Sequence, residues 1–345
     1  DNPIPPTIAN LSVLDSQSSG ADFNVQGGFG WAIQGGVFSD NGHYGLRIRG
    51  GEAPVTVRNV QTHRNGYNGA NLETAGFIEL QGLDVVENGT DGLVLHTSDV
   101  IDMTDSRIAD HPGNINLIIS SASAESRIRG NSVIADDTVI AEDHEIVASL
   151  IPNLVEEVVD NNELRNTARG LYVRNGTLSI DAIWPVLGFE YVLHPRADLT
   201  VHADAELILE AGLVLKATPN TGHHNDSDLF VNGILRLEGN ENAPVVLTSL
   251  SDDRHGGDTN GDGVTTDPAP GDWGRVHFSA SSDGFLEHAL IRYGGGGNTG
   301  PCCHQNVAGP ASLHVAADRA PQLSEITVEH SQSSGALINV TGGHD

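Results

Sequence analysis

The chain has 345 residues and a net charge of −29, from 46 acidic against 17 basic side chains. This balance excludes nucleic acid as a partner, because nucleic-acid binding requires clustered cations. It also disfavours anionic membrane surfaces, and we expect no membrane span because no apolar run is long enough. The composition suits a soluble extracellular protein, so we expect a secreted or cell-surface location.

A repeat within residues 36–120 is the first predicted element. Asn-Gly pairs begin at Asn41, Asn65 and Asn88, and a second glycine follows each Asn by four residues. The pairs lie 24 and 23 residues apart, with short alternating strands between them. A period of this length with three short strands per turn predicts a β-solenoid.

The Asn-Gly pairs also predict a ladder at one corner of the solenoid. Asn-Gly tolerates positive φ, so each pair is expected to turn the chain at the same corner. Asn41, Asn65 and Asn88 would then stack, with their side-chain amides bonded from coil to coil. The alternative is three unrelated hairpin turns, but the even spacing and the matching glycine favour the ladder.

Alternation within the strands assigns the faces of the solenoid. Apolar positions of the repeat are expected to point inward: Leu46, Ile48, Ala70, Leu72, Leu93 and Leu95. On the outer face, stacking places Arg49 beside Glu73 and Glu73 beside His96. This arrangement is compatible with a surface ion pair, but a solvated face is the favoured interpretation.

Three regions are predicted along the chain. Residues 1–139 form the coils with the Asn-Gly ladder. Residues 140–175 form an irregular or short helical break, because Ile146–Val159 has partly helical spacing that Pro152 interrupts. Residues 176–345 form a second solenoid stretch that carries an acidic loop at 252–272 and a Cys-Cys loop at 294–310.

The acidic loop predicts a structural calcium ion. Asp258, Asn260 and Asp262 occupy positions 1, 3 and 5, with Gly263 at position 6 and Val264 at position 7, as in the first half of a calcium loop. Further carboxylates that could complete the shell follow or precede them: Asp252, Asp253, Asp267 and Asp272. Ala269 stands where an EF-hand has its bidentate Glu, so this is no EF-hand. The alternative is a solvated acidic loop.

The two cysteines of the chain are adjacent, at Cys302 and Cys303. A vicinal disulfide that stiffens the loop is the favoured interpretation. The alternative is a soft metal bound together with His304.

The first and last parts of the chain resemble each other. Residues 6–29 and 321–344 are identical at 12 of 24 positions, including the run Ser-Gln-Ser-Ser-Gly-Ala. We interpret this as a long repeat of 315 residues in which the chain returns to its first coil type. With no cap evident at either end, we expect tandem repeats or end-to-end stacking of copies.

Residues 184–293 carry a series of motifs seen together elsewhere, among them Glu210-Ala-Gly-Leu-Val-Leu-Lys216, Pro244-Val-Val-Leu-Thr-Ser249, Pro270-Gly-Asp-Trp-Gly274 and Leu290-Ile-Arg-Tyr-Gly294. They resemble large secreted bacterial β-helix repeat proteins, which are adhesin-like or surface proteins on the fold that pectate lyases share. The resemblance implies an all-β, right-handed parallel β-helix with coils of about 23 residues and inserted loops.

Two functions are compatible with this fold. The favoured one is an extracellular structural or adhesive repeat segment, with other copies of itself and surface glycans as the expected partners. The alternative is a carbohydrate-active enzyme, a polysaccharide lyase or hydrolase. Catalysis is disfavoured because no complete catalytic site is evident, and no aromatic row for sugar stacking is expected from the few aromatic residues.

Overall fold

The computed structural model describes residues 6–25, 30–111, 114–135, 146–165, 169–219, 227–296 and 311–342. It divides into two compact units, unit 1 (residues 1–169) and unit 2 (residues 170–345). Short strands pair in parallel with the corresponding strands of the next coil in both units. The predicted all-β, right-handed parallel β-helix is therefore confirmed.

The described residues of unit 1 form six three-stranded coils and a partial seventh. Its elements in chain order are β1 (Thr7–Ala9), β2 (Val13–Leu14), β3 (Ala21–Val25), β4 (Trp31–Gln34), β5 (Val37–Ser39), β6 (Leu46–Gly50), β7 (Val55–Arg58), β8 (Gln61–His63), β9 (Ala70–Glu73), β10 (Ile78–Gln81), β11 (Asp84–Val86), β12 (Leu93–His96), β13 (Ile101–Thr104), β14 (Arg107–Ala109), β15 (Ile115–Ser121), β16 (Arg127–Arg129), β17 (Ser132–Ile134), β18 (Ile146–Leu150), a 3₁₀ turn (Pro152–Leu154), α1 (Val155–Asn161) and β19 (Glu163–Arg165).

The core of unit 1 forms because the apolar positions repeat in register. Leu46 pairs with Ala70, and Ala70 with Leu93, so equivalent side chains stack from coil to coil. All six positions predicted to point inward are at most 1% exposed. Burial of one such leucine or isoleucine contributes about 1.5–3 kcal/mol, so the stacked interior drives folding.

The outer face of the first coils carries an ion pair with a partner other than the one considered from the sequence. Arg49, Glu73 and His96 do stand in register. However, the Arg49 guanidinium donates to both carboxylate oxygens of Asp22, each at 3.0 Å, one coil on the other side. Arg49 lies between two coils that each offer a carboxylate, Asp22 before it and Glu73 after it, and only Glu73 was considered from the sequence.

The predicted break at 140–175 is shorter than expected. Residues 146–150 form strand β18, which pairs with β15 and continues the solenoid. Pro152, which lacks an N–H donor, ends the strand and starts a 3₁₀ turn. The seven-residue helix α1 then packs on β16, and β19 pairs with β17.

At one turn of unit 1, a short polar residue (Asn or Asp) alternates with glycine from coil to coil. The residue after the first strand of each coil lies in the left-handed region, and successive coils use Asn10, Gly35, Asn59, Gly82, Asp105 and Gly130. A Cβ at Gly35 would lie 2.4 Å from Asn10 Oδ1, and one at Gly82 would lie 2.6 Å from Asn59 Oδ1. Each Asn side chain therefore covers the glycine of the next coil.

Unit 2 repeats the three-stranded coil with longer connections. Its strands are β20 (Leu171–Val173), β21 (Gly176–Leu178), β22 (Ala182–Trp184), β23 (Tyr191–Leu193), β24 (Leu199–Val201), β25 (Glu206–Glu210), β26 (Val214–Ala217), β27 (Leu229–Val231), β28 (Ile234–Glu238), β29 (Val245–Ser249), β30 (Val276–Phe278), β31 (Asp283–Arg292), β32 (Leu313–Ala317), β33 (Gln322–Glu329) and β34 (Ala336–Val340).

Insertions in unit 2 lengthen single coils. In one sheet Leu199 pairs with Leu229, and Leu229 pairs with Val276, so the two coils take 30 and 47 residues. The acidic loop (residues 252–272) accounts for much of the longer coil, because it lies between β29 and β30. The core continues past these insertions, since all three paired side chains are buried.

The sequence repeat between residues 6–29 and 321–344 is also a repeat of backbone conformation. Asn10 and Asp15 have φ of 52° and 55°, and their counterparts 315 residues later, Glu325 and His330, have φ of 53° and 55°. Strand β34 begins and ends at the positions equivalent to β3. Coil 6–25 and coil 321–342 are thus the same coil type.

Within the described ranges, no helix has the length and apolar character that crossing a bilayer requires.

Candidate functional site

The three Asn-Gly asparagines form one buried row in unit 1. Asn41 Nδ2 donates to Asn65 Oδ1, and Asn65 Nδ2 donates to Asn88 Oδ1, each at 2.9 Å. The same oxygens accept the backbone N–H of the preceding Asn. Each Asn is at most 2% exposed. The row therefore fixes the register of neighbouring coils through bonds shielded from water.

The turn chemistry at this row differs from the prediction. The left-handed residues are those before each Asn, namely Asp40, Arg64 and Glu87, with φ of 58°, 51° and 56°. The following glycines are needed for close approach, since a Cβ at Gly66 would lie 2.6 Å from the carbonyl oxygen of Gly42. The glycine of each Asn-Gly pair thus permits tight stacking, whereas the residue before the Asn adopts the positive φ.

A histidine that the sequence analysis did not single out ends the row. Asn88 Nδ2 lies 3.2 Å from His111 Nε2, and His111 Nδ1 lies 2.5 Å from Asn116 Oδ1. An amide nitrogen only donates, so His111 is neutral with its proton on Nδ1. Burial lowers the pKa of His111 to about 4, against a smaller opposing effect of the Asn116 bond.

We expect His111 to make unit 1 sensitive to acid. Its folded pKa lies below its unfolded value of 6.5, so its contribution is complete above that pH and is lost as pH falls towards 4. The loss amounts to about 3 kcal/mol. Urea unfolding at pH 7 and pH 4 measures it, and His111→Asn, which continues the asparagine row, serves as the control. Equal pH dependence of the two proteins would contradict this assignment.

The acidic loop brings three of the predicted calcium ligands together. Carboxylate oxygens of Asp253, Asp258 and Asp262 lie within 4.8 Å of one another. Asp258 accepts the backbone N–H of Asp262 at 3.1 Å and of Gly263 at 2.8 Å, which folds the loop around the cluster. Burial and the charge of Asp258 raise the pKa of Asp253. Asp253 Oδ1 is buried and has no hydrogen-bond partner among the described residues.

The other predicted ligands have different surroundings. Asn260 Nδ2 donates to Asp262 Oδ2 at 2.9 Å, so Asn260 supports the cluster through its amide. Asp272 accepts the Ser249 hydroxyl at 2.6 Å and the Ala269 N–H at 3.0 Å. Asp267 and Val264 are exposed. Of the eight predicted ligands, three carboxylates therefore lie together as one cluster, and the complete calcium shell stays a prediction.

Asp252 lies in a buried ionic network instead of the cluster. Its Oδ2 accepts Arg292 Nη1 and Thr248 Oγ1, both at 2.7 Å. Asp252 is 0% exposed and Arg292 is 3% exposed. Burial alone would raise the pKa of Asp252, but the Thr248 bond and the Arg292 charge lower it further than burial raises it. The network ties the start of the acidic loop to strand β31.

The only lysine of the chain, Lys216 on strand β26, makes a hydrogen bond to the acidic loop. Lys216 is 0% exposed, and its Nζ donates to the carbonyl oxygen of Gly257 at 2.6 Å. Burial lowers the pKa of Lys216, while the charges of Glu190 and Asp253 oppose this effect. The ammonium thus compensates part of the negative charge beside the cluster.

An aromatic group occupies one corner of unit 1, although no aromatic row was expected. His43 and Tyr67, on adjacent coils, stack with ring centroids 5.3 Å apart, and Tyr44 meets Tyr67 edge-on at 5.0 Å. The Arg47 guanidinium lies 4.8 Å from the centre of the Tyr44 ring. Tyr67 is 41% exposed. Stacking between coils assembles a surface that single aromatic residues in the sequence did not reveal.

Cys302 and Cys303 lie outside the described residues, as does His304, so the predicted disulfide stays a prediction.

Comparison with known proteins supports the fold in unit 1. Residues 4–144 match a family model described as a right handed beta helix region. No curated protein and no solved structure matches the chain significantly. The match covers the coils that carry the asparagine row, and the parallel pairing in unit 2 extends the same architecture beyond it.

Proposed function

We propose that this protein is an extracellular structural or adhesive repeat segment of a larger surface protein or fibre. The observation that carries the proposal is the return of the first coil type at residues 321–342, in sequence and in backbone turns. A unit that comes back to its starting coil is suited to repetition along one axis. The buried asparagine row adds rigidity, because it fixes neighbouring coils by internal bonds.

Immunogold electron microscopy of producing cells tests this proposal. Antibodies against the chain are expected to label the outer cell surface or filaments that extend from it. Labelling confined to the cell interior would overturn the extracellular assignment. If the extracted protein carried the label only as separate particles and never as assemblies, the assignment as a structural segment would be overturned.

A structural calcium ion in the acidic loop is part of the proposal. Asp253, Asp258 and Asp262 supply the hard oxygen ligands that Ca²⁺ prefers. The buried Oδ1 of Asp253, which has no hydrogen-bond partner among the described residues, supports this assignment, because a buried carboxylate oxygen without a partner carries a free-energy cost. The ion would rigidify the long insertion between β29 and β30.

We expect calcium to stabilise unit 2 and to shield Lys216. Calcium at 100 times its Kd would add about 2.7 kcal/mol to the free energy of unfolding. Acetylation of Lys216 by an amine-reactive reagent, followed by mass spectrometry, would slow with calcium and accelerate with EDTA, because the loop covers this residue. Asp258→Asn is expected to abolish both effects, whereas Asp267→Asn, in the same loop, keeps them. Identical labelling with calcium and with EDTA would contradict the site.

The alternative, a carbohydrate-active enzyme, also has a location at which it can be tested. A surface pocket beside the carboxylate cluster is lined by Asp253, Arg254, Asp267 and Tyr293, among others. Acidic residues with a neighbouring arginine are the groups that lyases and hydrolases use. Ultraviolet detection of unsaturated products, with acidic polysaccharides as substrates, would favour the lyase form of this function. Loss of the signal in Asp253→Asn would assign it to the pocket.

Surface glycans are the proposed adhesive ligand. The exposed rings of His43 and Tyr67 supply the flat apolar surface on which sugar rings stack, and Arg47 adds a hydrogen-bond donor beside them. Glycan-array binding that disappears in Tyr67→Ala would support this ligand, and unchanged binding would exclude the corner.

A further inference from the structure

Two histidines lie side by side on the outer face of unit 2. His277 on β30 and His314 on β32 are paired in register on adjacent coils. Both side chains point outward, because the residues on either side of them in their strands are buried: Val276, Phe278, Leu313 and Val315. The pair is separate from the asparagine row and from the acidic loop, and neither of those sites uses it.

The two imidazole rings approach each other through the same type of nitrogen. His277 Nδ1 lies 3.2 Å from His314 Nδ1, and the ring centroids are 4.8 Å apart. Two nitrogens that ligate one tetrahedral Zn²⁺, each at about 2.0–2.1 Å, are themselves about 3.3–3.4 Å apart. The pair therefore has the spacing of two ligands of one metal ion without movement of either strand.

The ring of His277 is held in place from the other side as well. Phe230 on β27 is in register with His277 and meets its ring edge-on, with centroids 5.8 Å apart. The imidazole of His277 thus lies between Phe230 and His314. A ligand that is already ordered before the ion arrives loses less conformational freedom on binding.

Arg275 keeps the pair in the protonation state that a metal ion needs. Its Nη1 lies 3.3 Å from His314 Nδ1, and because a guanidinium only donates, this nitrogen carries its lone pair. Burial and the charges of Arg275 and His314 lower the pKa of His277 to about 4, and burial and Arg275 lower the pKa of His314. Both rings are therefore neutral at pH 7, the form in which histidine ligates metals.

We propose that His277 and His314 chelate one divalent transition-metal ion of the class that prefers imidazole, such as Zn²⁺. Ca²⁺ and Mg²⁺ take oxygen ligands, so this site and the carboxylate cluster of the acidic loop select different ions. The proton of His277 then lies on Nε2, and both Nδ1 lone pairs point at the ion. Among the described residues no third histidine, cysteine or carboxylate joins the pair, so water fills the remaining positions there.

The guanidinium of Arg275 has to leave His314 Nδ1 when the ion binds. Asp228 is placed to receive it, since Asp228 Oδ1 lies 4.0 Å from Arg275 Nε. Arg275 therefore has two opposite effects, because it keeps the rings neutral and its charge repels the ion. This second effect separates a metal site from a purely structural contact between two rings, which a nearby cation would not weaken.

Isothermal titration calorimetry of the intact chain with ZnCl₂ tests the site. Excess Ca²⁺ in the buffer occupies the carboxylate cluster, so that the titration does not report on it. His277→Ala, His314→Ala and the double variant remove the ligands. His202→Ala is the matched control, because His202 is a half-exposed histidine of unit 2 whose neighbour is Asp204. Circular dichroism in metal-free buffer checks that each variant is folded.

Each single substitution is expected to remove one bound Zn²⁺ per chain, the double variant no more than that, and His202→Ala none. Arg275→Gln is expected to tighten the Kd by about tenfold, because a positive charge no longer lies beside the ion. Equal numbers of bound Zn²⁺ in His277→Ala and His202→Ala would overturn the proposal. If the alanine variants proved to be unfolded, Arg275→Gln would still decide, since an unchanged or weaker affinity also overturns it.

Discussion

Replacement of Asn65 by alanine is expected to lower the free energy of unfolding of unit 1 by about 3–5 kcal/mol. The Asn65 side chain donates to the Phe38 carbonyl and to Asn88 Oδ1, and it accepts the backbone N–H and the side-chain amide of Asn41. Alanine leaves the Phe38 carbonyl and the Asn41 N–H buried without these partners. Each buried polar group left unsatisfied costs about 1–3 kcal/mol.

Urea unfolding followed by circular dichroism measures this loss. Asn24→Ala is the matched control, because Asn24 lies on an exposed position of β3 and its replacement is expected to change stability by less than about 0.5 kcal/mol. If both substitutions cost less than about 1 kcal/mol, the row would be a by-product of coil stacking and not a source of stability.

Asp252→Ala is the second substitution with a large expected effect, a loss of about 3–5 kcal/mol in unit 2. Arg292 has 4% of its side chain exposed and lies 2.7 Å from Asp252. Among the described residues, removal of the carboxylate leaves this buried guanidinium with only Glu329, whose side chain is 40% exposed, as a carboxylate partner. Trp273 provides a local probe, because its Nε1 donates to the Arg292 carbonyl at 2.6 Å.

Denaturant unfolding followed by tryptophan fluorescence checks this expectation. Asp22→Ala removes the ion pair with Arg49, whose side chains are 37% and 42% exposed, and is expected to cost less than about 1 kcal/mol. Because the pKa of Asp252 lies below its usual value, its contribution is present at neutral pH and is lost as pH falls through that lowered pKa. Equal costs for the two substitutions would show that the network around Asp252 is dispensable.

The fold was predictable because its determinants are periodic. The spacing of Asn41, Asn65 and Asn88 identifies the coil length, and alternation identifies the core. His111 stands 23 residues after Asn88 but was missed, because Pro112 replaces the glycine of the motif. The left-handed turns escaped prediction for a similar reason, since Asp40, Arg64 and Glu87 share a conformation and no side-chain chemistry.

The candidate site was predictable only in part, because its partners are distant in sequence. Asp258 and Asp262 lie in one short motif, and the structure places them together. Asp252 instead meets Arg292, 40 residues later, and Lys216 meets Gly257, 41 residues later. Such contacts depend on which coils an inserted loop separates and folds against. The spacing of residues in the sequence alone does not specify this. The unusual presence of a single lysine was the available signal for Lys216.

The coils of unit 1 come in two alternating kinds, which differ in the residue at one left-handed turn: Asn10, Gly35, Asn59, Gly82, Asp105 and Gly130. Each asparagine or aspartate meets a glycine on the next coil, so the smallest segment that can be duplicated or deleted without a mismatch is a pair of coils. Loss of one coil would bring two glycines or two bulky side chains face to face, whereas loss of two would restore the sequence of contacts. Lineages of this protein should therefore differ in length by even numbers of coils within unit 1.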